Sequence, residues 1–69
     1  MIIIPKNKRG EEYRVTLDDF KGQKLANIRV WFPADDGEMR PGRQGVAFRA
    51  ELIEDFRAAL AEIDGGGNG

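Results

Sequence analysis

The 69-residue sequence contains no cysteine, no histidine and no serine. The first absence excludes a disulfide. The first two together come close to excluding a zinc site, because zinc prefers sulfur and nitrogen ligands. With Thr16 as the only aliphatic hydroxyl, neither a Ser-His-Asp nor a Cys-His arrangement can be assembled. Carboxylates are plentiful, but the pattern places them in turns or on a helix, and so short a chain cannot wall a deep cleft. The expectation is a protein that is not an enzyme and that holds no metal or cofactor. No apolar run exceeds four residues, well short of the roughly 20 that cross a bilayer or the roughly 7–15 of a signal-peptide core. No membrane partner is therefore expected, and the missing cysteine fits an intracellular protein.

What is present is one short domain, expected over residues 1–64, followed by a flexible Gly-rich tail at 65–69. A chain of this length has a marginal core, and with disulfide and metal removed the remaining stabiliser is self-association. Net charge is −1, which argues against a uniformly basic nucleic-acid coat. The charge is nevertheless uneven. Residues 1–48 carry nine Lys/Arg against seven Asp/Glu, and residues 49–69 carry two against five. Two faces with different work are implied.

Ile2-Ile3-Ile4-Pro5 reads as a short strand stopped by proline, at an edge or a dimer seam. Lys6–Gly10 reads as a charged loop ended by glycine, a solvated loop in preference to a basic arm. From Tyr13 the period is two: Tyr13, Val15 and Leu17 point one way, and Arg14, Thr16 and Asp18 the other, with Phe20 on their side. A tight turn at Lys21-Gly22-Gln23 leads into a second alternation. There Ala26, Ile28, Val30 and Phe32 share one face and Leu25, Asn27, Arg29 and Trp31 the other. A strand from Met39 to Phe48 follows the Ala34–Gly37 turn, with a bulge or bend expected at Pro41, Gly42 and Gly45. Glu51–Ile63 then takes helical spacing, poorly capped at its start and with Gly65 as its expected C-cap. Strand, strand, strand, strand, helix makes an α+β domain, a four-stranded antiparallel sheet covered on one face by one helix.

Aromatic rings beside arginines on the uncovered face of a sheet have a use in stacking on nucleobases, each stack being worth roughly 1–3 kcal/mol. The candidates are Phe20 and the adjacent Trp31 and Phe32, of which a regular strand shows one and buries the other. A single bulge would invert that choice. Arg14 and Arg29 share the face with Trp31, while Lys21, Lys24, Arg40 and Arg43 could supply phosphate contacts around the rings. The helix stripe Leu52, Ile53, Phe56, Leu60 and Ile63 has more apolar area than a small sheet needs, and its surplus suits a second copy of the chain.

Asp19-Phe20-Lys21-Gly22 followed by Gly37-Glu38-Met39-Arg40-Pro41-Gly42-Arg43-Gln44-Gly45 resembles the single-stranded-DNA-binding domain of the transcriptional coactivator positive cofactor four, with no gap between the motifs. The resemblance implies a homodimer, each chain giving a curved four-stranded antiparallel sheet and a C-terminal helix that takes part in dimer contacts. It implies that Phe20, Lys21, Arg29 and the Trp31-Phe32 pair lie along the DNA path, with Arg40 and Arg43 as the basic residues of the second motif. In strict register the family's stacking Trp falls on Phe32, whereas the alternation exposes Trp31. Both stand as candidates, with Trp31 preferred as the larger ring and as the one in phase with Arg29. Gln23 and Gln44 stand where the family has basic residues, and Asp18 replaces an Arg, so weaker and less salt-dependent binding is expected. The eukaryotic Ser- and Lys-rich tail is not in this sequence, so the expectation is a compact bacterial, archaeal or phage member. Such a member would be cytoplasmic and nucleoid-associated, or nuclear if eukaryotic. The alternatives are RNA on the same surface, or a module contacting transcription or repair proteins through the acidic side of the helix at Glu54, Asp55 and Glu62.

Overall fold

The central hairpin is dictated by two runs of alternating residues joined by two positions that accept positive φ. Strand β2 (Glu12–Phe20) pairs with β3 (Gln23–Pro33) without interruption, from Glu12↔Trp31 to Phe20↔Gln23. Lys21 (φ 52°) and Gly22 (φ 82°) form the turn between them. Both central φ values are positive, which matches the twist of the flanking strands and is natural for Gly22. Strand β1 (Ile2–Pro5) adds antiparallel to β2, and β4 (Met39–Arg49) adds antiparallel to β3, so the sheet order is β1-β2-β3-β4. A short 3₁₀ turn (Ala50–Leu52) leads into α1 (Ile53–Asp64). The computed structural model describes residues 1–65; of the tail expected at 65–69, only Gly65 lies among the described residues.

Strand β4 carries the expected irregularity. Gly45 pairs with Arg29 and Pro41 with Trp31, so four steps of β4 lie against two of β3. Two extra residues restore the phase that one would have inverted. Val46 and Phe48 therefore share a face with Ala26 and Ile28, and Gly45 and Ala47 share the opposite face with Asn27 and Arg29. Gly45 is required by close approach. A Cβ there would lie 2.7 Å from the Ile28 carbonyl oxygen and 3.1 Å from the Arg29 Cα.

The apolar face does not close over a core within one chain. Among the described residues Ala26 is the only buried hydrophobic one. Helix α1 has no buried residue at all, and its main hold on the sheet is Phe56 stacked on Phe48, with ring centroids 4.0 Å apart and planes inclined by 23°. The expected cover of the sheet by the helix is thus corrected. The helix stands over the sheet and leaves an open groove of about 770 Å³, lined by Ile2, Ile4, Val15, Leu17, Ile28 and Phe48 on the sheet and by Ile53, Phe56 and Leu60 on the helix. Leu52 and Ile63, expected in the same stripe, are exposed outside that lining.

The helix ends follow the weak signals of the sequence. Leu52 occupies the N-cap with no side-chain hydrogen bond, as expected, and the Ile53 N–H donates instead to the Ala50 carbonyl of the preceding 3₁₀ turn. Gly65 ends the helix where expected, but at φ −71° rather than in the left-handed conformation, its N–H donating to the Ala61 carbonyl. Substituting Gly45→Ala should force β3 and β4 apart at the bulge and cost about 1–3 kcal/mol through overpacking. A fall in thermal midpoint checks this, and an unchanged midpoint would show that the strands have slack there.

Candidate nucleic-acid interface

The pairing of β2 with β3 places Arg14 opposite Arg29, Thr16 opposite Asn27 and Glu12 opposite Trp31 on the sheet face turned away from the groove, with Phe20 and Gln23 at the hairpin end of the same face. The sequence alternation therefore holds, and Trp31 is in phase with Arg14 and Arg29. Phe32 pairs with Arg40 on the other face. It is 38% exposed there, beyond the end of the groove.

The two rings of the polar face differ in freedom. Phe20, at the turn, is 57% exposed, and the Lys21 ammonium lies 5.4 Å from its centroid. Trp31 is half-buried, and the Arg14 guanidinium lies over it at 4.2 Å from the ring centroid. Glu12 fixes that guanidinium by accepting a hydrogen bond from Nε at 3.0 Å. Arg14 and Trp31 are diagonal cross-strand neighbours, a pairing that long and aromatic side chains can span. Arg14 therefore acts on Trp31, and its charge is already matched by Glu12.

A census of the eleven basic side chains separates the candidates further. Seven are ion-paired: Lys6 and Arg9 with Glu11, Arg14 with Glu12, Lys24 with Asp19, Arg40 with Asp36, Arg49 with Glu51 and Arg57 with Glu54. Among the described residues, Lys8, Lys21, Arg29 and Arg43 have no carboxylate partner. Arg29 donates from Nη1 to the Gly42 carbonyl at 3.2 Å, a neutral acceptor that leaves its charge uncompensated. Arg43 follows Gly42 in the bulge, so the extra residues of β4 carry an exposed guanidinium next to the residue whose carbonyl accepts from half-buried Arg29. Of the residues chosen from sequence, the fold brings Phe20, Lys21, Arg29, Trp31 and Arg14 to one face and sets Arg43 at its border. Lys24 and Arg40 it does not bring there. Both fall by register on the opposite face and are held by Asp19 and Asp36. Lys8 lies in the loop whose sequence favours a solvated loop over a basic arm, and no periodic signal marks it.

The face combines a free aromatic ring with cations whose charge the protein leaves unmatched. It can stack a planar π-system and attract phosphate. Residues 7–59 match the family model described as Transcriptional Coactivator p15 (PC4). The fold is also similar to a solved structure described as a bacteriophage T5 homolog of the eukaryotic transcription coactivator PC4, implicated in recombination-dependent DNA replication. The TM-score is 0.77 and the identity 28%, over 97% of this chain and 77% of that one.

The stacked guanidinium gives a direct test. Arg14→Ala should uncap Trp31, shift its emission to the red and cost about 1–2 kcal/mol of stability from the lost cation–π contact and packing. Urea unfolding followed by Trp31 fluorescence measures both, and an unshifted emission would show that Arg14 does not cover the ring.

Proposed function

The chain belongs to the transcriptional coactivator p15 (PC4) family, and from that premise we propose that it is a DNA-binding protein, specific for single strands, that works as a homodimer. The observation that carries the reading is the placement of exposed Phe20 with Lys21 and Arg29, cations without carboxylate partners, on the sheet face opposite the apolar groove. An unpaired base stacks on Phe20, and Lys21, Arg29 and Arg43 neutralise phosphates. Trp31, pinned under Arg14, forms a firm ledge further along the strand path. Lys24, Arg40 and Phe32 face the other side and are secondary. Stacking and phosphate contacts read little sequence, so preference among bases is slight. Duplex DNA, whose bases are already stacked, binds less well. The protein is a binding module rather than a catalyst, and the proposal includes a cytoplasmic, nucleoid-associated setting.

The second copy is argued from surface. The chain exposes 5670 Å², whereas a compact chain of 7.7 kDa exposes about 4,300 Å². Its radius of gyration is 14.3 Å, against about 11 Å for a compact chain of this length. The excess of roughly 1,300 Å² is what one partner contributes to an obligate interface of about 2,000–5,000 Å² in total. The groove and the lean, uncapped helix lie where that area is exposed.

Two measurements test the proposal. In titrations of labelled oligonucleotides, a single strand should bind more tightly than duplex. Phe20→Ala should lose about 5- to 150-fold, the equivalent of one stack of roughly 1–3 kcal/mol. The three cations should give a slope of about −2 in log K against log salt on a short strand, at roughly 0.7 per phosphate. Equal affinity for duplex and single strand would overturn the stacking mechanism, and tighter binding of matched RNA would move the reading to RNA. Light scattering should report a dimer at micromolar concentration, with Leu60→Asp losing helix content and dimer together. A folded monomer would refute the second copy.

A further inference from the structure

The fourth cation without a carboxylate partner lies outside the sheet, in the loop between β1 and β2. That loop is built. Asn7 Oδ1 accepts hydrogen bonds from the N–H groups of Arg9 (3.1 Å) and Glu11 (3.3 Å), and Asn7 Nδ2 donates to Glu11 Oε1 at 2.7 Å. The Lys6 N–H closes the loop on the Glu11 carbonyl at 2.9 Å. The side-chain contacts to Glu11 all converge on its Oε1. The Asn7 amide first, then Lys6 and Arg9, hold its carboxyl below the ordinary value of 4.5 against the opposing effect of burial, so it stays charged at neutral pH. Its one negative charge faces Lys6 at 3.4 Å and Arg9 at 3.6 Å, and the loop keeps an excess of positive charge. Lys8 is exposed with no partner among the described residues, and Arg9, 78% exposed, has only the long contact to Glu11.

The position of the loop matters as much as its charge. Glu12, the first residue of β2, pairs with Trp31, so the loop continues past the Trp31 end of the polar face. Gly10 runs against Pro33, where a Cβ would come 3.4 Å from the proline Cγ. The neighbouring turn at that end, between β3 and β4, carries Asp35, Asp36 and Glu38. Asp36 is engaged with Arg40, and Asp35 and Glu38 have no basic partner among the described residues. A polyanion leaving the Trp31 ledge thus meets one acidic turn and one basic turn.

Resting on the single-strand reading above, we infer that the β1–β2 loop is a separate phosphate-binding site, in which Lys8 and Arg9 receive the nucleic-acid backbone beyond Trp31 and turn it away from the acidic β3–β4 turn. The site is preorganised by Asn7 and Glu11, so it pays little ordering entropy on binding. It lengthens the strand the protein can hold without adding base readout, because its contacts go to phosphate alone.

The test uses the full chain with oligothymidylates of about 6 and about 20 nucleotides, chosen around the roughly 4–16 nucleotides held by comparable single-strand modules. The variant Lys8→Ala/Arg9→Ala should bind the short strand as the wild type does and the long strand more weakly. On a fourfold dilution of salt, the wild type should gain about sevenfold more affinity for the long strand than the variant, the result of two phosphates at roughly 0.7 each. Lys8→Gln alone, which disturbs no protein contact, should give about half that slope change. Wild-type affinity and slope in the double variant on the long strand would overturn the loop site while leaving the sheet face standing, provided Phe20→Ala still weakens both strands. If Phe20→Ala weakens neither, the sheet-face reading fails and this inference fails with it.

Discussion

The structure depends on an apolar face that one chain cannot cover. Strands β1 to β4 present isoleucines, valines, Leu17 and Phe48 on one side, and among the described residues the only regular element available to bury them is a helix of 12 residues. Isolated helices of that length are marginal in water. This one lacks a side-chain N-cap and carries no base in its last turn to complement the dipole. It keeps its place through the Phe48–Phe56 stack. The groove stays open within one chain, and the proposed second copy would complete it. Among the described residues the opposite face has no helix to pack against and leaves polar and aromatic groups in water.

That freedom is bounded by electrostatics. A strip of arginines opposed across two strands, as Arg14 and Arg29 are, would repel if left alone. The chain treats them differently. Arg14 is matched by Glu12 and lies over Trp31, where its guanidinium acts as packing. Arg29 receives only the Gly42 carbonyl, a dipole that orients the fork without cancelling its charge. The same distinction runs through the molecule. Most basic side chains are spent on nearby carboxylates, exposed pairs that contribute little to stability. Their effect is to remove charge from the wrong surfaces, so that a protein of net charge −1 still holds a localised cationic track.

The parts of this design legible in the sequence are those that depend on strict periods. The β2 and β3 alternations, the Lys21-Gly22 turn and the strand–strand–strand–strand–helix order all follow from residue type and spacing, and the fixed spacing of two motifs around them carried the family resemblance. The bulge was legible as Pro41, Gly42 and Gly45, but its size was not. Whether one residue or two are inserted depends on how Gly45 fits against Ile28 and Arg29, a tertiary fact. Trp31 was placed on the correct face, yet the cover over it was invisible because Arg14 lies 17 positions away and meets it only through strand pairing. Lys24 and Arg40 look as available as Lys21 and Arg43 when only residue types are read. What separates them is a nearby aspartate, Asp19 across the hairpin and Asp36 one helical-turn distance along the chain.

The loop at Lys6–Glu11 shows the same limit from the other side. As sequence it is a run of charges ended by glycine, and such runs are usually solvated and without fixed shape. Asn7 changes that, because its side chain can replace a backbone turn by accepting two amide hydrogens while holding Glu11 in place. Once Glu11 is fixed and partly neutralised, the lysine and arginine beside it cannot collapse onto it fully, and they remain displayed at one end of the sheet. A flexible loop of the same composition would lose conformational entropy on meeting a polyanion, whereas this loop has already lost it in folding. Order in a charged loop, more than its charge, is therefore what distinguishes a contact surface from solubilising decoration.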